Sequence, residues 1–145
     1  MTFSKKIFIN ASLLVILPNL ILASCSENVV SQCKKIILIT QEIAKESQTN
    51  RKTEDIQKAL KVADSFDKAA VEMRNLSISD KNLVEYQLGF ADIYKGYAQT
   101  TRQFIFALQK NDIDTVKLMQ QQLQQLGQKE PKLGNRMNSY CQSKQ

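Results

Sequence analysis

The amino-acid sequence predicts an all-α protein folded as an antiparallel, up-down four-helix bundle. Helix-breaking residues are scarce, with four glycines and two prolines in 145 residues, and the chain is rich in Gln, Lys, Leu and Ala, which favour helices. Beyond residue 28, apolar side chains recur every three or four positions in four stretches, and no stretch alternates strictly between apolar and polar residues. Short polar segments join the four stretches, which favours antiparallel packing of consecutive helices.

The first two helices are predicted between residues 29 and 76. Asn28 is a suitable N-cap for the first helix, which extends to about Gln48 before a polar turn. Thr53 is the predicted N-cap of the second helix, which extends to about Leu76. The second helix has a heptad-like apolar stripe, made of Ile56, Leu60, Ala63, Phe66, Ala70, Met73 and Leu76.

The third helix is predicted from a serine N-cap, Ser77 or Ser79, to about Lys110. Gly89 and Gly96 are seven residues apart and therefore share one face of this helix. We interpret them as a groove that a neighbouring helix approaches closely, with a ligand approach or a kink as the alternative. Aromatic residues dominate the stripe of this helix, which consists of Leu83, Tyr86, Phe90, Tyr94, Tyr97, Thr101, Phe104, Ile105 and Leu108.

The fourth helix is predicted from Asn111-Asp112, which ends the third helix and caps the fourth, to about Cys141. Pro131 interrupts its pattern, because proline lacks an amide hydrogen and clashes with the carbonyl four residues earlier, at Gly127. We expect a kink or a short break between these two residues. The pattern directs Glu130 towards the core, unless it faces water at the break. The third and fourth helices would reach roughly 45 Å and the first two roughly 30–35 Å, so the longer hairpin should overhang unless the break shortens it.

Residues 1–24 have the layout of a signal peptide that is removed after export. Lys5 and Lys6 give a positive start, a mostly apolar stretch runs from Ile7 to Leu22, and two small residues follow. An uncleaved transmembrane anchor is the alternative. Two asparagines and a proline interrupt the apolar stretch, however, and it is short for the ~20 residues of a membrane span.

The leader ends in Leu22-Ala23-Ser24-Cys25, which resembles the lipobox of bacterial lipoproteins. The resemblance covers the leader and Cys25. It implies that a diacylglycerol is attached to the Cys25 thiol, that the leader is cut before Cys25 and that the new amine is acylated. Each buried methylene adds ~0.8 kcal/mol of membrane affinity, so two or three acyl chains hold a soluble domain on a bilayer. The alternative for Cys25 is an ordinary exported cysteine that awaits a disulfide.

The predicted mature protein therefore consists of a lipidated tether, 25–28, and a helical bundle domain, 29–145. The lipid would anchor it to a bacterial membrane, with the domain on the periplasmic or extracytoplasmic side. Once Cys25 is acylated, Cys33 and Cys141 remain, near the start of the first helix and the end of the fourth. These ends meet at one pole of an up-down bundle, and export permits disulfides. We predict a Cys33–Cys141 bridge, with two buried thiols as the alternative.

The composition points away from an enzyme and from a nucleic-acid-binding protein. The chain has no histidine, so a cysteine nucleophile lacks its usual base and zinc lacks a usual ligand. Four carboxylates could form an acid–base site, but their spacing does not pair an acid with a base: these are Glu72, Asp80, Glu85 and Asp92. Removing the leader and its two lysines lowers the net charge from +6 to +4, and the charges form no basic stripe interleaved with aromatics. We predict no catalytic residue, metal, cofactor or nucleic-acid partner.

Three functions fit these features. The first is a non-enzymatic envelope lipoprotein that binds or scaffolds another protein. The second is an extrinsic subunit or assembly factor of a photosynthetic membrane complex. Its size, anchor and architecture resemble those of lipid-anchored cyanobacterial PsbQ-like proteins. The ending, residues 137–141, resembles that of small cyanobacterial helical proteins of unknown function. The third is a carrier that holds an apolar ligand between the helices, against Phe90, Tyr94, Tyr97, Phe104 and Met119.

Overall fold

Four α-helices and no strand make up residues 27–50 and 55–145, which are the residues that the computed structural model describes. The helices are α1 (Val29–Asn50), α2 (Ile56–Asn75), α3 (Lys81–Gln109) and α4 (Ile113–Gln142). Each helix packs against the next in sequence, and α1 also contacts α3 and α4. The predicted all-α four-helix fold is confirmed. The leader and the lipobox with Cys25 lie outside the described residues.

Two predicted helix starts are confirmed by side-chain caps. Asn28 caps α1, and its Oδ1 accepts the N–H of Ser31 at 2.7 Å. Asp112 caps α4, and its Oδ1 accepts the N–H of Thr115 at 3.1 Å. Each cap provides an acceptor for an amide that has no partner within its own helix.

The other two predicted caps are wrong by one to three residues. Asp55, rather than Thr53, caps α2, and its carboxylate accepts the N–H of Gln57 at 2.8 Å. Asp80, rather than Ser77 or Ser79, caps α3 and accepts the N–H of Leu83 at 3.0 Å. Serine, threonine and aspartate are all good N-caps, so the residue type alone did not separate these candidates.

The turn between α3 and α4 is a Schellman motif built on Asn111. Asn111 has a φ of 55°, a left-handed conformation that asparagine adopts more readily than most residues. The Asp112 N–H donates to the Ala107 carbonyl at 3.0 Å, and the Asn111 N–H donates to the Leu108 carbonyl at 3.1 Å. This turn ends α3 and lets α4 return along it, as the sequence predicted for these two residues.

Helix α4 is continuous through Pro131. The alternative of a split between Gly127 and Pro131 is therefore wrong. Leu126 lies on one side of the proline, and Leu133 and Met137 on the other, and all three pack against or within the core. Full burial of such a side chain contributes about 1.5–3 kcal/mol, so the buried Met137 and the partly buried Leu126 and Leu133 together offset much of the ~3 kcal/mol cost of an internal proline.

Two leucines of α4 lie directly over the two glycines of α3. A Cβ atom at Gly89 would lie 2.9 Å from Leu133 Cδ2, and one at Gly96 would lie 3.0 Å from Leu126 Cδ2. Both distances are shorter than ordinary van der Waals contact. The two glycines are seven residues apart in sequence, and so are the two leucines. The prediction that these glycines admit a neighbouring helix is confirmed.

The two hairpins differ in length, as predicted. Helices α3 and α4 have 29 and 30 residues, whereas α1 and α2 have 22 and 20. The tip of the longer hairpin carries large apolar side chains that are exposed, which agrees with an overhang of α3 and α4: these are Phe106, Leu108, Ile113 and Leu118. The core lies deeper between the helices, where its largest fully buried side chains include Tyr94, Ile36, Met73, Leu83 and Met137.

Candidate functional site

All four helices line one elongated groove in the middle of the bundle. Its walls run along α1 from Ile37 to Ser47 and along α4 from Leu123 to Asn138, with residues of α2 and α3 at its floor. Its volume is about 890 Å³, within the range of about 300–1,000 Å³ typical of small-molecule sites. We call it the central groove. It exists because α1 and α4 make little contact with each other, in contrast to the closely packed pairs α2–α3 and α3–α4.

Ion pairs reinforce the α2–α3 pair on its outer side, away from the central groove. Arg102 on α3 contacts Asp64 at 2.7 Å and Asp67 at 2.5 Å, and Lys95 contacts Asp67 at 2.8 Å. The hydrogen bond from Lys95 and the neighbouring Arg102 hold the pKa of Asp67 below its usual range. These partly exposed pairs contribute little individually, but they hold α2 and α3 in register.

The lining of the central groove is mostly apolar. Its members come from every helix, including Ile37, Val62, Phe66, Phe90, Leu123 and Met137. A few polar side chains are spaced among them: Thr40, Gln41, Ser47, Thr101 and Asn138. Such an arrangement of apolar walls with few polar groups is typical of small-molecule sites.

Glu130 is the single charged residue among the residues that line the central groove. It is partly buried, and its Oε2 accepts a hydrogen bond of 3.0 Å from the hydroxyl of Tyr97. The structure thus agrees with the inward orientation that the sequence pattern indicated. Because α4 is unbroken, Glu130 does not face solvent at a helix break.

Tyr94 lies behind the groove wall and is fully buried. Its hydroxyl has no hydrogen-bond partner of good geometry among the described residues. Burial raises the pKa of Tyr94 well above its usual value, and the nearby charge of Glu130 raises it further. The Tyr94 hydroxyl therefore interacts with the Glu130 carboxylate without a hydrogen bond of good geometry.

Four aromatic rings form a continuous row beside Glu130. The ring centroids of Phe66 and Tyr97 are 4.8 Å apart, those of Phe66 and Tyr94 are 6.0 Å apart, and those of Phe90 and Tyr94 are 6.1 Å apart. Three of these rings, those of Phe66, Phe90 and Tyr97, reach the groove lining. Aromatic pairs at such distances stabilise a core by about 0.5–1.5 kcal/mol each beyond burial.

The structure separates the five residues that the sequence suggested for an apolar ligand. Phe90 and Tyr97 line the central groove, and Tyr94 lies behind them. Phe104 and Met119 are not among the lining residues. Helical periodicity places all five on core-facing stripes, but it does not say where α1 diverges from α4.

Cys33 and Cys141 lie at disulfide distance at one pole of the bundle. Their sulfur atoms are 2.06 Å apart, their Cα atoms 6.1 Å apart, and the residues are separated by 108 positions in sequence. Both side chains are buried, with 2% and 6% exposed. The structure therefore brings together the two cysteines that the sequence paired.

The same pole contains a buried amide that sequence reasoning missed. Gln32 is 2% exposed and its side chain joins the start of α1 to the loop between α2 and α3. Its Oε1 accepts the N–H of Ser79 at 2.8 Å and that of Asp80 at 3.0 Å, while its Nε2 donates to the Glu27 carbonyl at 2.7 Å. No sequence motif marks this residue, since glutamine on a helix is ordinarily exposed.

A second buried glutamine, Gln87, closes the end of α2. Its Nε2 donates to the carbonyls of Met73 at 2.7 Å and Leu76 at 2.9 Å. Nearby, the Tyr140 hydroxyl donates to Asp80 at 2.8 Å. The pole near Cys33 and Cys141 is thus densely hydrogen-bonded, whereas the helices part further along to form the central groove.

The carboxylates considered as a possible acid–base site do not converge. Asp80 caps α3, Asp92 pairs with Arg74, and Glu72 pairs with Lys68 at 3.6 Å. Among the described residues, no group of three or more cysteines, aspartates and glutamates is placed to hold a metal ion. None of the described helices is long and apolar enough to cross a membrane.

The described residues form a four-helix bundle with one mostly apolar groove that all four helices line. No protein-family model, no curated protein and no solved structure matches the chain.

Proposed function

We propose that this protein is a lipid-anchored, non-enzymatic binding module on the extracytoplasmic side of a bacterial membrane, and that the central groove is its binding site. The observation that supports binding is the groove itself, about 890 Å³ in volume, mostly apolar and lined by all four helices. Its volume and its apolar lining with few polar groups are those of small-molecule sites.

The membrane anchor is proposed from the sequence of the leader and its lipobox, which ends at Cys25. Two features of the described residues support it. Helix α1 begins at Val29, four residues beyond Cys25, so an acylated Cys25 would hold the bundle close to the bilayer. Cys33 and Cys141 lie at bonding distance, and disulfides persist mainly outside the cytoplasm.

The anchor is tested by metabolic labelling with an alkyne analogue of palmitate in a bacterial host. We expect the wild-type chain to take up the label and to begin at Cys25 after processing. Cys25→Ser should remove the label, because serine offers no thiol for the diacylglycerol, whereas Cys141→Ser should retain it. Wild-type protein without label, or label that persists in Cys25→Ser, would refute the lipoprotein assignment.

The binding site is tested with N-phenyl-1-naphthylamine, an uncharged apolar probe that fluoresces in apolar surroundings. We expect saturable binding of about one probe per chain to lipid-free protein that begins at Ser26, once cooperative unfolding has shown it to be folded. Gly134→Phe should abolish this binding, since a Cβ at Gly134 would meet Phe90 at an ordinary 3.9 Å and the added ring would occupy the groove.

Asn135→Phe provides the matched control for this experiment. It introduces the same ring at the next position of α4, where the side chain is exposed, so it should leave probe binding unchanged. Equal loss in both variants, or no loss in Gly134→Phe, would show that the probe does not enter the central groove.

A further inference from the structure

The electrostatic character of the central groove is opposite to that of the whole chain. The chain carries a net charge of +6, from 20 basic and 14 acidic residues, yet no lysine or arginine is among the groove-lining residues. Glu130 is the charged member of the lining and forms no ion pair with any described residue. A carboxylate in a groove that has no cationic side chain is available for an ion pair with a cationic ligand.

Glu130 lies beside aromatic side chains, which can attract an organic cation. The Tyr97 hydroxyl donates to Glu130 and fixes its position, while the Tyr97 and Phe66 rings adjoin each other at 4.8 Å in the groove wall. The faces of aromatic rings attract ammonium groups, and quaternary ammonium ligands are bound in cages of such rings. A carboxylate beside these rings adds a full negative charge to the same attraction.

Apolar walls extend from Glu130 in both directions. Leu123 and Met137 lie near the two ends of the stretch of α4 that lines the groove, and each is seven residues from Glu130. At ~1.5 Å per residue the apolar wall of α4 reaches about 10 Å on each side of the carboxylate. A bare inorganic cation would leave most of this surface without a partner.

We propose that the central groove binds an amphiphilic organic cation, with its ammonium group at Glu130 and Tyr97 and its apolar body along the walls formed by α1 and α4. This inference rests on the proposed function of the groove as a binding site and specifies the chemistry of its ligand. Charge complementarity favours a cation over an anion, and the length of the apolar wall favours an amphiphile over a small amine.

Basic side chains border a different depression, between α3 and α4. Gly89, Ile93 and Leu133 lie at its floor, and Lys129, Lys132 and Arg136 border it together with Asp92. Non-specific attraction to a positive chain also favours anions. A preference of the protein for a cationic ligand would therefore run against its net charge and would have to arise from a local site.

The test uses three probes with equal decyl chains: decyltrimethylammonium, decyl maltoside and decyl sulfate. Each is titrated calorimetrically, below its micelle concentration, into lipid-free protein that begins at Ser26. We expect one decyltrimethylammonium per chain, bound about tenfold more tightly than decyl maltoside, which corresponds to an attraction of about 1.4 kcal/mol. Decyl sulfate should not compete with decyltrimethylammonium for the groove.

Glu130→Gln tests the carboxylate directly. Glutamine retains the size of the side chain and an acceptor for the Tyr97 hydroxyl, so we expect about tenfold weaker binding of the cation and unchanged binding of decyl maltoside. Glu85→Gln is the matched control: Glu85 is exposed on α3 and outside the groove lining, and its substitution should change neither affinity.

The possible outcomes separate this inference from the proposed function. The wild-type chain could bind the cationic and uncharged probes with equal affinity, and Gly134→Phe could abolish the binding of both. That outcome would overturn the cation assignment and retain the groove as a binding site. Undiminished binding of the cation to Glu130→Gln would also overturn the assignment. Absence of binding by both probes would overturn it together with the proposed site. The wild-type comparison decides the question even if Glu130→Gln fails to fold.

Discussion

Replacing both Cys33 and Cys141 with serine should reduce the free energy of unfolding by up to about 4–5 kcal/mol. The two residues are 108 positions apart in sequence, and closing so long a loop removes a large amount of conformational entropy from the unfolded chain. Measured effects of disulfides are often smaller than this estimate. Urea unfolding of wild-type and Cys33→Ser/Cys141→Ser protein, each beginning at Ser26, measures the difference.

The loss of stability in the double-serine variant should also be unevenly distributed over the four helices. Helix α1 is the helix with the least contact to the others, and the bridge joins it to α4. Amide exchange in the double-serine variant should therefore accelerate in α1, around Ile36 and Ile43, more than in α3. Uniform acceleration in all four helices would indicate an effect confined to the unfolded state.

Wild-type protein treated with a reductant provides the control for the serine side chains. It should reproduce the lower stability of the double variant, since both lack the bridge. Thiol counting after unfolding without reductant should find neither cysteine reactive. Two reactive thiols, or a stability change below about 1 kcal/mol, would contradict the proposed bridge.

The helical fold could be predicted because its signals are local and repeated. Apolar residues recur at helical spacing in all four stretches, and such periodicity depends on nothing beyond the neighbouring turns of the chain. The close approach of another helix at Gly89 and Gly96 followed from the same regular spacing, whereas its identity as α4 came from the structure. The meeting of Cys33 with Cys141 followed from topology, since the first and last helix ends of an up-down bundle share a pole.

Cap positions and the course of α4 depended on contacts that the sequence does not display. Asp80 caps α3 in a loop where the side chain of Ser79 accepts a hydrogen bond from Gln32, a residue 47 positions earlier. Pro131 remains within a helix because Leu126 and Leu133 pack on both sides of it. In each case a tertiary contact decided between local options of similar free energy.

The central groove was only partly predictable. The sequence placed Phe90, Tyr94 and Tyr97 on one stripe and directed Glu130 inward, and the structure brings these four close together. The sequence did not indicate that α1 and α4 would separate. Periodicity identifies which face of a helix is buried, but it does not give the distance between helices. The same limit explains why Phe104 and Met119, on the same stripes, lie outside the lining.

Gln32→Met should destabilise the bundle by about 2–3 kcal/mol, a large effect for a substitution that conserves side-chain length. Methionine cannot accept the N–H groups of Ser79 and Asp80 or donate to the Glu27 carbonyl, which Gln32 does at 2.7–3.0 Å. Each buried polar group left without a partner costs about 1–3 kcal/mol. Water that reaches this half-buried loop offsets part of this cost. Burial of the apolar methionine side chain offsets another part. Thermal and urea unfolding of the protein that begins at Ser26 measure the change.

The matched control is Gln124→Met on α4, where the glutamine is exposed and the same substitution should alter stability by less than about 0.5 kcal/mol. Because Gln32 connects the start of α1 to the start of α3, its loss should act on the same pole as the loss of the cysteine pair. Gln32 and Cys33 are adjacent in sequence, so the effects of their substitution should not be additive. Once the start of α1 can detach from the bundle, the hydrogen bonds of the Gln32 side chain contribute less to stability. A triple variant, Gln32→Met/Cys33→Ser/Cys141→Ser, that is destabilised by the full sum of the separate losses would show that the bridge and the buried amide act independently.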